Sequence, residues 1–143
     1  WPGFQLPCRA YRCFFATDRT DCSRSNRMGQ LTTHVLDTAR GKPADNMNWA
    51  LYRADTERTV LATGRTNADG RNAGPILEGA DFVSGIYELV FYAAEYFRNA
   101  GIELPDPAFL DEVVIRFGIA EPQSHYHVPL LISPYGYSTY RGS

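Results

Sequence analysis

From residue 30 onward, short runs of β-branched and aromatic residues alternate with turn signals at spacings of roughly 8 to 12 residues. This alternation is typical of an all-β sandwich, and it is the strongest constraint on what the chain can fold into. The predicted strands are residues 31–37, 47–54, 59–65, 86–92, 112–119, 125–133 and 137–141.

Turns and one helix complete the predicted pattern. Residues 40–43 and 67–70 contain the Gly, Pro and Asp-Gly combinations that bend a chain sharply. Residues 94–100 lack helix breakers and stop before Gly101, which predicts one short helix. The sequence contains no internal repeat and no low-complexity tract.

Charge and length restrict the function. The chain has 143 residues, 44% of them hydrophobic, which is enough to form one core. Fourteen basic and sixteen acidic side chains give a net charge of −2, so no positive surplus is available for a nucleic-acid backbone. The longest apolar stretches, residues 89–94 and 128–132, are far shorter than the roughly 20 residues that span a bilayer. We expect neither nucleic acid nor a membrane as a partner.

Composition changes at Met28. Residues 1–27 carry all three cysteines and a charge of +3, whereas residues 28–143 carry a charge of −5 and no cysteine. We interpret residues 1–27 as a leader, poorly ordered or an upstream extension, and residues 28–143 as the folded domain. No export signal is recognisable, so a cytoplasmic location is expected. Cys8, Cys13 and Cys22 are irregularly spaced and have no histidine near them in the leader, so a zinc site there is not favoured.

The three histidines are the first chemical signal. His125 and His127 are separated by one residue of a predicted strand, so both lie on one face. Together with His34 they are a conceivable three-histidine zinc site, and the alternative is that they are ordinary surface or interface histidines. No carboxylate is obviously paired with them, so spacing alone does not favour metal binding. We predict no metal and no cofactor.

Three segments together carry a resemblance to a known family. Residues 31–44 read LTTHVLDTARGKPA, residues 66–71 read TNADGR, and residues 125–143 read HYHVPLLISPYGYSTYRGS. Together they resemble the 5-hydroxyisourate hydrolases, the transthyretin-like proteins of purine breakdown. The resemblance runs from about residue 30 to residue 143, omits the leader, and is most specific at residues 140–143.

The resemblance implies a prealbumin-type fold of two four-stranded sheets with one short helix, assembled as a homotetramer that is a dimer of dimers. The eighth strand would be a very short one at Arg71. The implied activity is hydrolysis of 5-hydroxyisourate to 2-oxo-4-hydroxy-4-carboxy-5-ureidoimidazoline in urate degradation.

The resemblance also implies roles for single residues. The catalytic positions of the family match His34, Arg71, His127 and Ser143, which would line a channel at the interface between dimers. His34, Arg71, Ser143 and also Tyr140 would contact the substrate, and His125 would lie at the channel mouth. Which histidine is the general base is left open.

These residue types suit the hydrolysis of a cyclic amide. One histidine can accept a proton from water near neutral pH, and a second can donate one to the departing ring nitrogen. Arginine offers a permanent charge to the oxygen that becomes negative. The alternative is a transthyretin-like carrier of small aromatic ligands in the same channel, which the fold alone cannot exclude. In the carrier, lysine and glutamate occupy the positions of His34 and Arg71, so the sequence favours the hydrolase.

Overall fold

The computed structural model describes residues 29–142 and contains two β-sheets packed face to face. Its strands are β1 (Gln30–Asp37), β2 (Lys42–Pro43), β3 (Asn48–Arg53), β4 (Thr59–Arg65), β5 (Leu77–Glu78), β6 (Gly85–Phe91), β7 (Val113–Ile119), β8 (Tyr126–Ser133) and β9 (Gly136–Thr139). A 3-10 turn covers Gly79–Asp81, and one α-helix, α1, covers Ala93–Asn99. The predicted leader and Ser143 lie outside the described residues.

The first sheet has the order β2-β1-β8-β9, with β5 also pairing with β1, and the second has the order β4-β3-β6-β7. Strands β1 and β8 are parallel although they lie at opposite ends of the domain, and the remaining ladders are antiparallel. Joining the two ends of the domain side by side is what brings the first and last of the family motifs together.

The core lies between the two sheets, and β1 shows why. Its residues alternate between buried and half-buried, so Leu31, Thr33 and Val35 point into the core while the residues between them point outward. The facing sheet and helix supply the other large side chains, among them Trp49, Leu51, Tyr87, Leu89, Phe91, Phe97 and Ile115. The outward face of β1 is therefore free to carry polar groups.

Helix α1 closes one end of the sandwich. Tyr96 donates a hydrogen bond of 2.8 Å from its hydroxyl to Oδ2 of Asp37, the last residue of β1. Arg40 donates to the same carboxylate oxygen at 2.8 Å and to the Tyr96 hydroxyl at 2.6 Å. This buried network fixes the carboxyl end of β1 against the helix.

The predicted all-β, transthyretin-like fold is confirmed, and the seven strands and the helix lie within a few residues of their predicted bounds. Two details differ. The first sheet has five strands rather than four, because the short β2 and β5 both pair with β1. The predicted eighth strand at Arg71 is a single bridge to His34, since the residues around Arg71 are in turns and bends rather than extended. Within residues 29–142, no helix has the length and apolar character needed to cross a membrane.

Candidate active site

Strands β1 and β8 place two histidines on the same outward face of the first sheet. In the parallel register Thr32 lies opposite His127, and His34 lies opposite Pro129. His34 is therefore one pleat further along β1, on the same side as Thr32. Both histidine rings are half-buried, which leaves one edge of each available to a ligand.

The turn of residues 66–71 carries Arg71 to this face. Arg71 forms an isolated antiparallel bridge with His34, and the carbonyl of Gly70 accepts a 2.8 Å hydrogen bond from the backbone of Val35. The side-chain oxygen of Asn67 accepts from the backbone N–H groups of Asp69, at 3.0 Å, and Arg71, at 3.2 Å. The turn is thus stabilised by hydrogen bonds to its own Asn67 side chain and by backbone pairing with β1.

Gly70 is required at this turn. Its φ is +72°, a backbone conformation that side chains disfavour. A Cβ atom there would also lie 2.3 Å from the carbonyl oxygen of Val35. Only glycine lets the turn approach β1 closely enough to hold Arg71 beside His34.

The end of the chain crosses His127. Gly142 bridges to His127, and its backbone N–H donates a 2.8 Å hydrogen bond to the His127 carbonyl. A Cβ atom at Gly142 would lie 2.6 Å from Cδ2 of the ring, so this crossing also depends on glycine. Ser143, the predicted fourth catalytic residue, follows directly in the sequence but lies outside the described residues.

A groove of about 540 Å³ opens on this face. Its lining includes Gln30, Thr32, Arg71, Asn72, His125 and His127. These side chains offer both donors and acceptors, which suits a small planar ligand with several carbonyl and N–H groups better than an apolar one.

The surroundings of His34 and His127 lower the pKa of both rings, which favours their neutral forms. Burial and the nearby Arg71 charge lower the pKa of His34, against smaller opposing contributions from Asp69. Burial, Arg71 and the two other histidines lower the pKa of His127. A neutral ring can accept a proton through one nitrogen and donate through the other, which is what acid–base catalysis requires.

The histidines do not form a metal cluster. No group of three or more His, Cys, Asp or Glu side chains in the described part of the chain is placed to hold a metal ion. His125 and His127 instead have nearly parallel rings with centroids 6.5 Å apart, and both contact the hydroxyl of Thr32. The three cysteines lie outside the described residues.

The structure brings His34, Arg71 and His127 together but does not place Tyr140 in the groove of its own chain. Tyr140 is 60% exposed and borders a separate cavity of about 240 Å³ between the edges of the two sheets. Its neighbour Arg141 stacks its guanidinium over the ring of Tyr126, with Cζ 4.3 Å from the centroid. A contact between Tyr140 and substrate stays a prediction.

Sequence reasoning missed Thr32, Asn67 and Asn72 as parts of the site. The signal for Thr32 was available, because it lies two residues before His34 and therefore on the same face of a strand. Asn67 had a weaker signal as the first residue of an Asx-type turn.

Two sheets in this topology, with a histidine-arginine groove on the outer face of one of them, define a transthyretin-like protein with a polar site. The family model described as "HIUase/Transthyretin family" matches residues 31–142. The chain belongs to this family.

Known proteins resemble the chain closely. The "5-hydroxyisourate hydrolase 2" of Rhizobium meliloti is 61% identical over 119 residues, which cover 82% of this chain and 99% of the relative. The solved structure of Klebsiella pneumoniae 5-hydroxyisourate hydrolase superposes with a TM-score of 0.68 and 39% identity, covering 81% of this chain and 100% of that chain. Sea bream transthyretin in complex with thyroxine superposes with a TM-score of 0.71 and 29% identity, covering 79% of this chain and 94% of that chain.

Proposed function

We propose that this protein hydrolyses 5-hydroxyisourate to 2-oxo-4-hydroxy-4-carboxy-5-ureidoimidazoline in urate degradation. The observation that carries the proposal is that Arg71 bridges to His34 and lines one groove with His127, although these three residues come from segments far apart in the sequence. The 61% identity to the Rhizobium meliloti hydrolase, over 99% of that relative, supports the proposal.

Each residue has a task in this reaction. One histidine accepts a proton from water, and the water oxygen forms a bond to a ring carbonyl carbon. Arg71 stabilises the negative charge that develops on the carbonyl oxygen, because a guanidinium stays charged and donates two parallel hydrogen bonds. The second histidine donates a proton to the ring nitrogen as the C–N bond breaks. The products are a carboxylate and an N–H group, so no external oxidant or cofactor is needed.

Ser143 is the fourth catalytic residue of the proposal. It follows Gly142, whose backbone N–H donates a hydrogen bond to the His127 carbonyl. Its hydroxyl is suited to hold the attacking water or to orient a histidine.

A homotetramer, arranged as a dimer of dimers, is part of the proposal. Strands β7 and β9 lie at the edges of their sheets and carry exposed apolar side chains, including Val114 at 42% and Tyr137 at 47% exposure. Unpaired edges with apolar side chains favour strand pairing with a second copy. The outward face with the groove would then meet the same face of another dimer and become a channel.

A cytoplasmic location completes the proposal. Residues 28–143 contain no cysteine, so this domain needs no disulfide and suits a reducing compartment.

The carrier alternative is less well supported. The groove is lined by histidine, arginine, threonine and asparagine side chains rather than by aliphatic ones. An apolar aromatic ligand would leave these polar groups without hydrogen bonds, which is costly.

The test is an absorbance assay. Purified protein should accelerate the loss of the near-ultraviolet absorbance of 5-hydroxyisourate freshly generated by urate oxidase, and the rate should survive exhaustive chelation. If chelation abolished turnover and zinc restored it, a three-histidine metal site would replace the proposed mechanism. A folded protein with no effect on the decay would remove the hydrolase proposal altogether.

A further inference from the structure

The hydroxyl of Thr32 lies between two histidine rings. Its Oγ1 is 3.0 Å from Nε2 of His125 and 2.8 Å from Nδ1 of His127. Thr32 holds this place because the parallel register sets it directly opposite His127. The mechanism above uses neither this hydroxyl nor His125.

Hydrogen-bonding capacity couples the two rings. A hydroxyl has one hydrogen to donate, and a neutral imidazole has one N–H and one acceptor nitrogen. The hydroxyl oxygen could accept from both rings, but its own hydrogen would then have no acceptor among residues 29–142. All three groups are satisfied only when one ring donates to the oxygen and the other accepts its hydrogen. The rings therefore carry their protons in one of two matched arrangements, both on Nε2 or both on Nδ1.

Two considerations favour the arrangement with both protons on Nε2. Free neutral histidine prefers that tautomer, so neither ring is forced out of its ordinary state. When His125 is protonated, both its nitrogens carry hydrogen and its Nε2 must donate, so the Thr32 hydroxyl donates to Nδ1 of His127. His127 then bears its proton on Nε2, which has no hydrogen-bond partner among residues 29–142.

We propose that Thr32 is a positioning residue that links His125 to His127 and holds the His127 proton on Nε2, making His127 the proton donor of the site. The chemical consequence rests on the proposed hydrolase function. His34, which is not part of this network, is then the ring that accepts a proton from water.

The link also keeps His127 neutral while it donates. As Nε2 of His127 gives its hydrogen to the departing ring nitrogen, Nδ1 takes the hydrogen of Thr32, and Thr32 takes the Nε2 hydrogen of a protonated His125. One proton thus passes from His125 to the product, and His127 stays neutral throughout. After the product leaves, Nε2 of His127 takes a proton from solvent and the same transfers run in reverse through Thr32. This restores the starting tautomer of His127 and returns the proton to His125, which is exposed.

Several charged groups bear on this transfer. Arg71 approaches His127 from the turn, His34 from β1 and His125 from β8. Asp69 acts on His34. Arg141, next to the bridging Gly142, is engaged with the ring of Tyr126.

The first test is ¹⁵N nuclear magnetic resonance of the three histidine rings in the whole chain, assigned with His34→Gln and His125→Gln. Wild type and Thr32→Ser should show His127 protonated on Nε2, whereas Thr32→Val should show both tautomers in exchange. Thr38→Val is the matched control, because the Thr38 hydroxyl donates to the Ile132 carbonyl at the other end of the same strand pair. It should leave the ring signals unchanged.

The second test is kinetic. Thr32→Val should lower kcat at least about tenfold with KM within about twofold, Thr32→Ser should recover most of the loss, and Thr38→Val should match wild type. A purely structural role would instead change the unfolding midpoint and leave the ring tautomers alone.

The outcomes separate this inference from the hydrolase proposal. A wild-type spectrum with His127 protonated on Nδ1 overturns the role of Thr32, even if no Thr32 variant folds. If the wild type is active and Thr32→Val changes neither the rate nor the spectrum, the role of Thr32 is also overturned, while the hydrolase proposal is retained. A wild type without hydrolase activity but with the expected ring spectra removes the proposed function and retains the tautomer link.

Discussion

The reactive groups of this site depend on small neighbours. Gly70 and Gly142 each bring a backbone segment so close to β1 or β8 that a Cβ atom would collide with it. One of these approaches holds Arg71 beside His34, and the other passes the chain end over His127. The chemistry is therefore carried by charged and aromatic side chains, but their spacing is determined by residues without side chains.

Substitution of the reactive residues tests their roles directly. His34→Ala or His127→Ala should lower turnover about 10²-fold or more, because each removes one proton transfer. Arg71→Glu should cost more, since it sets a negative charge where the transition state develops one. The absorbance assay measures the rates, and circular dichroism with light scattering checks that fold and assembly are intact.

Lys42→Glu is a suitable control for Arg71→Glu. It makes the same change of charge on an exposed residue of the same sheet and should leave the rate unchanged. Near-normal turnover in a folded Arg71→Glu protein would exclude Arg71 from the mechanism.

At the scale of elements, the two faces of β1 have different roles. Its inward residues build the core, and its outward residues carry Thr32 and His34. Both ends of the strand are held, by the short β5 at the start and by the network of Asp37 with Arg40 and Tyr96 at the finish. This rigidity keeps the outward side chains in register with β8.

The Asp37 network makes stability depend on pH. Burial by itself raises the pKa of Asp37, but hydrogen bonds from Arg40 and Tyr96 outweigh it and the net pKa is lowered. A carboxyl with a lower pKa in the folded state stabilises the fold above its unfolded pKa, which is about 3.9. That stabilisation is lost as pH falls through the folded pKa. The free energy of unfolding should therefore decrease as the pH is lowered past about 4.

Asp37→Asn should reduce the free energy of unfolding at pH 7 by about 3 kcal/mol, because the side chain is fully buried and its charged hydrogen bonds are lost. The substitution should also weaken the pH dependence of the free energy of unfolding between pH 5 and pH 3. Urea unfolding at fixed protein concentration measures both effects, with Asp55→Asn as an exposed control. Equal acid slopes in wild type and Asp37→Asn would show that another carboxyl is responsible.

At the scale of the whole molecule, the two ends of the chain have opposite expected importance. The C-terminal segment crosses His127, and the proposed assembly would enclose it in a channel between dimers. Residues 1–27 precede the segment matched by the family model. Changes at one end should therefore affect catalysis, and changes at the other should not.

Three altered proteins compared with the parent test this difference. A short tag added after Ser143 and a deletion of residues 140–143 should both suppress hydrolysis, because one adds bulk beside the proposed site while the other removes groups from it. Deletion of residues 1–27 should leave the rate and the number of subunits unchanged. Absorbance decay and light scattering provide the readouts. Full activity in the tagged protein would show that the Ser143 terminus is not part of the site.

The sequence by itself located most of the elements, and its resemblance to a known family predicted which residues form the site. Strand periodicity located β1, β3, β4, β6, β7 and β8, and it assigned His125 and His127 to one face because alternate side chains of a strand share a side. The Asp-Gly signal of residues 67–70 located the turn before Arg71, because that dipeptide favours the positive φ that Gly70 adopts.

Only the tertiary structure decided which of these residues meet. Periodicity assigns a side chain to a face but contains no information about which strand lies alongside, so the parallel pairing of β1 with β8 was not readable from either strand. That pairing sets Thr32 between His125 and His127, and the bridge at Arg71 replaces the predicted eighth strand. The structure also decided the position of Tyr140. It follows β9 at the edge of the first sheet and borders a separate cavity rather than the groove, and sequence periodicity could not predict which cavity it would border.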